Sequence, residues 1–181
     1  MKYAVAIDIG GTNTRVALID EKYKIEERAQ FSTDANNPEV TLFKIKQAID
    51  SFDKEIVGVG MSCPGPLDLI EGKILTTPNL HGEWHGLCIT KELEKLIHKP
   101  VYLENDANLA ALAEAIIGEG KEYNIVQYLT VSTGLGAGLV INKKVFQGAH
   151  GFANEVANVC LWNNGPSHGS IYPGGVEAIC S

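Results

Sequence analysis

The feature that most constrains the fold is a strand, glycine turn and strand arrangement that occurs twice. Tyr3 to Asp8 and Arg15 to Asp20 are apolar-rich segments typical of strands, joined by a turn at residues 9–14. A second unit begins with the predicted strand from Ile125 to Val131, followed by a glycine turn at 132–138. Glycine permits the positive φ and close backbone approach that tight turns need. The sequence therefore predicts an internal repeat.

The segment between the two copies alternates predicted strands with predicted helices. Strands are expected at Lys24–Ser32, Glu55–Met61 and Pro100–Leu103, and helices at Pro38–Phe52, Ile89–Ile97 and Ala107–Glu119. The order β-β-β-α-β-α-β-α over residues 3–119 makes one mixed α/β unit, after which the pattern restarts. We therefore expect a complete first domain over 1–120 and the start of a second, incomplete domain over 121–181.

Finer expectations concern the boundaries and faces of these elements. Asn37 is predicted to cap the first helix. The apolar side of that helix is predicted to consist of Val40, Phe43, Ile45 and Ile49. A proline-rich loop at 62–66 should end one strand and lead into a long polar loop, and the strand that returns from the second glycine turn is expected from Leu139 to Asn142.

Composition excludes several classes of protein. The 181 residues are 45% hydrophobic, which suffices for a globular core. The net charge is -7 and the basic residues are scattered, so a nucleic-acid surface is not expected. There is no signal-peptide pattern or long apolar span, and the four cysteines form no Cys-x-x-Cys pair. These features predict a cytoplasmic protein that does not bind a membrane.

Asn105 and Asp106 lie where a predicted strand ends and a predicted helix begins. Asn and Asp are favoured N-caps, so either side chain could simply satisfy amide groups of the first helical turn. The alternative is chemical, with Asp106 as a general base and Asn105 fixing a substrate beside it. Two glycine turns elsewhere in the chain favour the chemical interpretation.

The glycine turns could bind phosphate, because backbone amides without a neighbouring Cβ can approach anionic oxygens closely. The candidate phosphate-binding residues are Gly10, Gly11, Thr12, Asn13, Thr133, Gly134 and Gly136. A dinucleotide-binding fingerprint is disfavoured because Leu139 and the residues after it continue as a strand, and no Walker sequence is present. Either turn alone could equally be an ordinary tight hairpin. Asp8, beside the first turn, could hold magnesium through water or could cap the turn.

Five motifs, in this order, closely resemble those of the ROK family of sugar kinases. They are Asp8-Ile9-Gly10-Gly11-Thr12, Pro64-Gly65-Pro66, Pro78-Asn79-Leu80, Glu104-Asn105-Asp106-Ala107-Asn108 and the segment 132–138. The resemblance covers nearly the whole chain. It implies the actin-like, ribonuclease-H-like ATPase fold, a mixed sheet with flanking helices in two lobes, with sugar and MgATP meeting in a cleft. It also implies that the first lobe is complete here and the second truncated, since family kinases continue well beyond this length.

The resemblance also implies roles for individual residues. Asp106 would take the proton from the sugar hydroxyl that attacks the γ-phosphate, and the glycine turns would bind the phosphates of ATP. The sugar-binding residues would be Gly65, Asn79, Asn105, Glu155, Asn158 and Glu177. Trp84 and His85 could edge the sugar pocket or pack within their loop.

The chain departs from the family pattern around its sugar and zinc motifs. Asn158 stands where the family usually has a histidine that binds both sugar and zinc, and the zinc cysteines are missing. Their places hold His168, Ser170 and Gly175. A tetrahedral zinc site needs four ligands, so no zinc is expected and His168 is interpreted as a polar loop residue.

The resemblance predicts an ATP- and magnesium-dependent kinase for a hexose or N-acetylhexosamine, in a chain that is short for activity alone and could form a homodimer. The alternative is a non-catalytic sugar sensor or a remnant of a ROK-type transcriptional regulator. Family repressors carry a helix-turn-helix ahead of the first strand, whereas Met1-Lys2-Tyr3 leads directly into it here. Other proteins of the actin-like fold are disfavoured because they are not expected to combine Asn79, Asn105-Asp106 and Glu155 as a polyol-binding set.

Overall fold

The computed structural model of the chain describes residues 1–77, 79–132, 134–167, 169 and 171–181. The chain divides into two compact units, Met1–Asp106 and Ala107–Ser181. The sequence placed a domain boundary after residue 120, beyond the division that the structure has. Within the described residues, no helix is long and apolar enough to cross a lipid bilayer.

The first unit is built on a five-stranded mixed sheet. The strands of this unit are β1 (Tyr3–Ile9), β2 (Asn13–Asp20), β3 (Ile25–Ser32), β4 (Ile56–Cys63), β5 (Leu67–Asp68), β6 (Lys73–Ile74) and β7 (Val101–Asn105). The order in the main sheet is β3-β2-β1-β4-β7, and β5 pairs with β6 in a separate small hairpin. β1 runs parallel to β4, and β4 runs parallel to β7. The carboxyl ends of these three strands therefore meet at one edge of the sheet.

Two helices of the first unit begin and end as their local sequence predicts. α1 runs from Pro38 to Ser51, and the side chain of Asn37 accepts a hydrogen bond from the N–H of Glu39 at 2.9 Å, which confirms the predicted cap. α2 spans Ile89–Ile97, as predicted, and ends at His98 in the left-handed conformation with φ of 53°.

The buried face of α1 differs from the prediction at two positions. Ile45 and Ile49 are buried as expected, but Val40 is 38% and Phe43 57% exposed. The buried stripe instead includes Leu42, which lies three residues before Ile45 and seven before Ile49. Helical periodicity of 3.6 residues turns positions 40 and 43 away from that stripe.

The segment after the proline-rich loop is not the polar loop that was predicted. It contains the β5–β6 hairpin and a 3-10 turn at Gly82–Trp84. Leu80 and Trp84 are both fully buried, and the indole Nε1 of Trp84 donates a hydrogen bond to the carbonyl oxygen of Asp34 at 2.9 Å. Trp84 thus packs within the core of the first unit, which confirms the packing interpretation of this residue.

The second unit contains a three-stranded sheet and most of a helix that starts at the last residue of the first unit. α3 spans Asp106–Ile116, and the strands are β8 (Ile125–Val131), β9 (Leu135–Ile141) and β10 (Lys144–Val145), in the order β10-β9-β8. A short helix, α4, covers Glu177–Cys180. The small core packs Ala111 and Ala115 of α3 against Val140 of β9.

β9 begins four residues earlier than predicted, so the second glycine turn is shorter than the sequence suggested. Gly136 and Gly138 are strand residues. A Cβ on Gly138 would lie 2.6 Å from the carbonyl oxygen of Ala107 and 2.8 Å from the Cβ of Ala111. The close approach of α3 to β9 therefore explains why glycine stands in this strand.

Candidate active site

The carboxyl edge of the first sheet collects the acidic and polar residues that the sequence singled out. In the register of the strands, Asp8 of β1 pairs with Ser62 of β4, and Ser62 pairs with Glu104 of β7. One residue further along, Cys63 pairs with Asn105, and Asp106 follows directly. Ligands of open α/β sheets commonly bind outside the carboxyl ends of the strands.

Asp8 is held by two side chains at this edge. The hydroxyl of Ser62 donates to Oδ1 of Asp8 at 2.7 Å, and the guanidinium of Arg15 donates to Oδ2 at 2.9 Å. Arg15 reaches Asp8 because the two residues are directly paired across the β1–β2 hairpin. The side chain of Asp8 is 48% exposed, so its carboxylate is also accessible to water. These contacts orient the carboxylate without burying it.

Asp106 is the first residue of α3, and Asn105 is the last residue of β7. The N–H of Asn105 donates to the carboxylate of Glu104 at 2.9 Å, which ties down the chain immediately before the helix. Asp106 is exposed to solvent. An acidic residue in the first turn also interacts favourably with the helix dipole, so its position is compatible with a structural as well as a chemical role.

The thiol of Cys63 lies near both candidate carboxylates. Burial raises the pKa of Cys63 to about 12, and the negative charges of Asp106 and Asp8 act in the same direction. In the register of the strands, Cys63 directly follows Ser62, the partner of Asp8, and pairs with Asn105, which directly precedes Asp106. The strand ends thus bring Asp8 and Asp106 around a common point.

The first glycine turn is closed by hydrogen bonds of its own. The N–H of Gly10 donates to the carbonyl oxygen of Asn13 at 2.9 Å, and the hydroxyl of Thr33 donates to the carbonyl oxygen of Gly10 at 2.7 Å. Within the described part of the chain, the N–H groups of Gly11 and Thr12 make no hydrogen bond to protein. Those two amides are therefore available to a ligand.

Two of the predicted sugar-binding residues pack against glycines of the first unit. A Cβ on Gly11 would lie 2.5 Å from the Cβ of Asn79, which places the first glycine turn directly on the loop that carries Asn79. A Cβ on Gly65 would lie 3.6 Å from Nδ2 of Asn105. The structure therefore brings Asn79 to the turn and Asn105 to Gly65.

In the second unit, Glu177 contacts the second glycine turn. Its Oε2 accepts a hydrogen bond from the N–H of Leu135 at 2.6 Å and lies 2.9 Å from the position of a Cβ on Gly134. Glu155 and Asn158 are both exposed. Glu155 directly precedes a short 3-10 turn over Val156–Asn158, and Asn158 is the last residue of that turn.

The candidate phosphate-binding residues of this unit also include Gly136 and Thr133. Gly136 lies within β9, where a Cβ would come within 2.9 Å of Cγ2 of Thr130 and 3.3 Å of the Cβ of Ala107. Close packing therefore explains this glycine without a ligand. Thr133 lies outside the described residues.

The sequence profile of the ROK family matches residues 4–181. This chain belongs to the ROK family. The curated relatives of this ROK protein include kinases and repressors. It is 33% identical over 180 residues to a glucokinase of Thermotoga maritima, which covers 98% of this chain and 56% of the relative. It is 29% identical over 171 residues to a xylose repressor of Bacillus subtilis, covering 91% of this chain and 44% of the relative. The ROK protein thus spans about half the length of these relatives.

Two solved structures establish the fold. The ROK hexokinase from Thermus thermophilus superposes with a TM-score of 0.88 at 32% identity, over 97% of this chain and 59% of that one. The ROK family glucokinase from Streptomyces griseus, in complex with glucose and AMPPNP, gives a TM-score of 0.81 at 29% identity, over 97% and 56% of the two chains. The actin-like ATPase fold of ROK sugar kinases is therefore confirmed for this protein.

Metal ligands of the ROK protein were predicted to be too few for zinc. Among the residues that the structure describes, no group of three or more His, Cys, Asp or Glu side chains could hold a metal ion. His168 and Ser170, which stand at two of the family's zinc positions, lie outside those residues. The expectation about zinc therefore stays a prediction.

The sequence missed Ser62, Arg15 and Thr33 as parts of this site. Each contacts a predicted residue through pairing between strands or through a loop that follows a strand, and strand register is not visible in a single sequence. The one usable signal was the period of two along β2, which puts Arg15 on the face opposite to the buried Val16.

Proposed function

We propose that this ROK protein carries part of the catalytic machinery of an ATP-dependent kinase that phosphorylates a hydroxyl of a hexose or N-acetylhexosamine. The observation behind the proposal is the strand register, which puts Asp8 of β1 and Asp106, directly after β7, at the carboxyl edge of the first sheet on either side of β4. Similarity to ROK glucokinases and a ROK hexokinase supports it. We expect the protein to act in the cytoplasm, without nucleic acid or membrane and in a form that could be dimeric.

Asp106 is proposed as the general base. Its carboxylate would accept the proton of the attacking sugar hydroxyl as the new bond to phosphorus forms and the bond from phosphorus to the bridging oxygen of ADP breaks. A positioned base contributes roughly 100- to 10,000-fold to the rate. The exposure of Asp106 at the start of α3 leaves the carboxylate accessible to a substrate hydroxyl.

The residues of the first unit fit a magnesium nucleotide. Mg²⁺ takes oxygen ligands and usually keeps several waters, and the half-exposed carboxylate of Asp8 suits contact through water. When bound, the ion would neutralise charge on the transferred phosphoryl group. The amides of Gly11 and Thr12 would donate to phosphate oxygens, and in the second unit Thr133, Gly134 and Gly136 remain proposed phosphate contacts.

The sugar is proposed to be held by amide and carboxylate side chains together with one backbone contact. These residues are Gly65, Asn79, Asn105, Glu155, Asn158 and Glu177. Amide and carboxylate oxygens accept hydrogen bonds from sugar hydroxyls, and the amide nitrogens of Asn donate to hydroxyl oxygens. Asn158 replaces the family's histidine and is expected to affect which sugar is preferred.

A second candidate function is that of a sugar-responsive regulator or non-catalytic sugar sensor. The similarity to a xylose repressor, which extends over 91% of this chain, supports this alternative. Such a protein would bind a sugar without transferring phosphate.

An assay of ADP formation distinguishes the two candidates. The purified chain is incubated with MgATP and, separately, glucose, mannose, fructose, xylose, N-acetylglucosamine and N-acetylmannosamine, and sugar binding is measured in parallel by calorimetry. ADP formation that depends on a hexose or N-acetylhexosamine supports the kinase. Sugar binding without ADP formation supports the sensor. ATP hydrolysis that no sugar changes contradicts both.

A further inference from the structure

The carboxylate of Glu177 is hydrogen-bonded to the backbone N–H of Leu135, the residue after Gly134. Its Oε2 accepts a hydrogen bond from the N–H of Leu135 with an N···O distance of 2.6 Å. The same oxygen comes within 2.9 Å of the point where a side chain at position 134 would begin, so the absence of a Cβ at Gly134 gives the carboxylate room. Val131 and Leu135 are paired in the β8–β9 ladder, so the amide lies at the first residue of β9 after the turn. The side chain of Glu177 therefore takes up the backbone N–H at the start of β9.

Two proposed roles meet at this contact. Gly134 is proposed to contact a phosphate of ATP, and Glu177 to hold a sugar hydroxyl. A phosphate oxygen that approached the N–H of Leu135 would meet the carboxylate of Glu177, which is already hydrogen-bonded there. The two negative charges would then be in direct contact and would repel each other strongly. Hydrogen bonds from a backbone amide to a carboxylate are also roughly twice as strong as those to a neutral acceptor. Phosphate binding at this amide therefore requires that Glu177 leave it.

We propose that Glu177 is a positioning residue that blocks the amide of Leu135 until a sugar engages its carboxylate. The inference rests on the proposed function and adds a link between its two substrates. A sugar hydroxyl that donates to Glu177 draws the carboxylate away from Leu135, and the freed N–H then donates to a phosphate oxygen. Without sugar, the carboxylate disfavours nucleotide binding and so limits futile hydrolysis of ATP. Because such coupling is reciprocal, bound nucleotide also strengthens sugar binding by the same factor.

Pyrophosphate tests the blocking contact without requiring turnover. Amide resonances of the ¹⁵N-labelled chain are followed during titration with pyrophosphate, for the unmodified chain and for Glu177→Ala, Glu177→Gln and Glu122→Gln. Glu122 is exposed in the same unit, so its substitution removes one negative charge at a distance from the contact. Resonances outside the contact report whether each variant keeps its fold.

Glu177→Ala is expected to bind pyrophosphate about tenfold more tightly than the unmodified chain or more, with the Leu135 resonance among those that shift. The pyrophosphate affinity of Glu177→Gln should lie between those of the unmodified chain and Glu177→Ala, since a neutral amide oxygen still accepts the hydrogen bond but repels no anion. Glu122→Gln should match the unmodified chain. Saturating glucose, or the sugar that the binding assay identifies, should tighten pyrophosphate binding to the unmodified chain and leave Glu177→Ala unchanged.

The inference is overturned if neither Glu177 variant binds pyrophosphate more tightly, or if the Leu135 resonance does not respond in Glu177→Ala. A merely structural role would give lower stability with unchanged pyrophosphate affinity, which also overturns it. Sugar-dependent ADP formation in either of those cases would leave the kinase proposal intact. Tighter pyrophosphate binding by the variants, with no ADP formed with any sugar, would support the blocking contact and reject the kinase.

Discussion

A Cβ on Gly11 would lie 2.5 Å from the Cβ of Asn79 and 3.0 Å from its carbonyl oxygen. The first glycine turn therefore rests directly on the loop that carries a proposed sugar-binding residue. Packing alone requires glycine at position 11, whether or not a phosphate binds there. A substitution at Gly11 in the proposed nucleotide turn must therefore displace Asn79, the proposed sugar-binding residue.

Gly11→Ala is predicted to reduce stability and sugar affinity together. The new methyl group meets backbone and Cβ atoms rather than a flexible side-chain end, and overpacking of this kind costs about 1–3 kcal/mol. Asn79 would move, so sugar binding should weaken. Urea denaturation and sugar titration measure the two effects. Gly60→Ala is the matched control, because a Cβ at Gly60 of β4 meets nothing within 4 Å, and equal stability of the two variants would contradict the prediction.

Asp106→Asn is predicted to lower turnover by roughly 100- to 10,000-fold while sugar affinity changes little. Asparagine is nearly isosteric with aspartate but cannot accept the hydroxyl proton. Sugar-dependent ADP formation and sugar titration measure the two quantities on whichever substrate the sugar panel identifies. Asp53→Asn serves as the control, since Asp53 is exposed and its φ of 49° is one that asparagine tolerates. Turnover retained by the Asp106 variant would reject its assignment as the base.

Features that depend on neighbours in the sequence were predictable. The β1–turn–β2 hairpin, the Asn37 cap and α2 at Ile89–Ile97 all follow from local periodicity and end signals, and the structure has them. The same holds for the meeting of β7 with α3 at Asn105 and Asp106, the centre of the proposed site. Local signals thus located the candidate base.

Features that depend on distant residues were not predictable. The hydrogen bond from Ser62 to Asp8 joins residues 54 positions apart in the sequence. It forms because the register of β1 and β4 pairs these two residues. Gly136 and Gly138 looked like parts of a turn, but they lie in a strand because α3 packs closely on it. Trp84 lay in a segment predicted to be a loop and yet is buried, and its indole N–H donates to the carbonyl oxygen of Asp34, 50 residues away in the sequence.

The raised pKa of Cys63 predicts a loss of stability at alkaline pH. The thiol has a pKa near 9.0 when unperturbed and about 12 in the folded chain, so above pH 9 the unfolded state binds fewer protons than the folded state. By linkage, the free energy of unfolding then falls as pH rises through this window. The contribution of Cys63 should decrease by about 1 kcal/mol between pH 9 and pH 10.

Urea denaturation at pH 8, 9 and 10 measures this effect in the unmodified chain and in Cys63→Ala. The variant should be less stable at pH 8 because it leaves a small cavity, but its stability should fall less steeply with pH. Cys180→Ala removes an exposed thiol and should follow the unmodified chain. Parallel pH profiles for all three proteins would show that Cys63 does not titrate as described.

The ammonium of Lys143 is surrounded by backbone carbonyls near the end of α3. Its Nζ donates to the carbonyl oxygens of Ala115 at 2.8 Å, Lys121 at 2.6 Å and Tyr123 at 3.0 Å, and Gly120 lies 3.4 Å away. Three donors are all that an ammonium has, so the shorter contacts use each of them. The last carbonyls of a helix have no partner within the helix and favour a positive charge.

Lys143→Met is predicted to destabilise the second unit by about 2 kcal/mol, because methionine keeps the length of the side chain but cannot donate to these carbonyls. Water can reach part of the cluster, which keeps the loss from being larger. Lys144→Met is the matched control, since Lys144 is exposed on the adjacent strand β10. Urea denaturation followed by amide resonances of β9 and α3 measures the change. Equal unfolding midpoints for the two variants would mean that solvent replaces the Lys143 contacts fully.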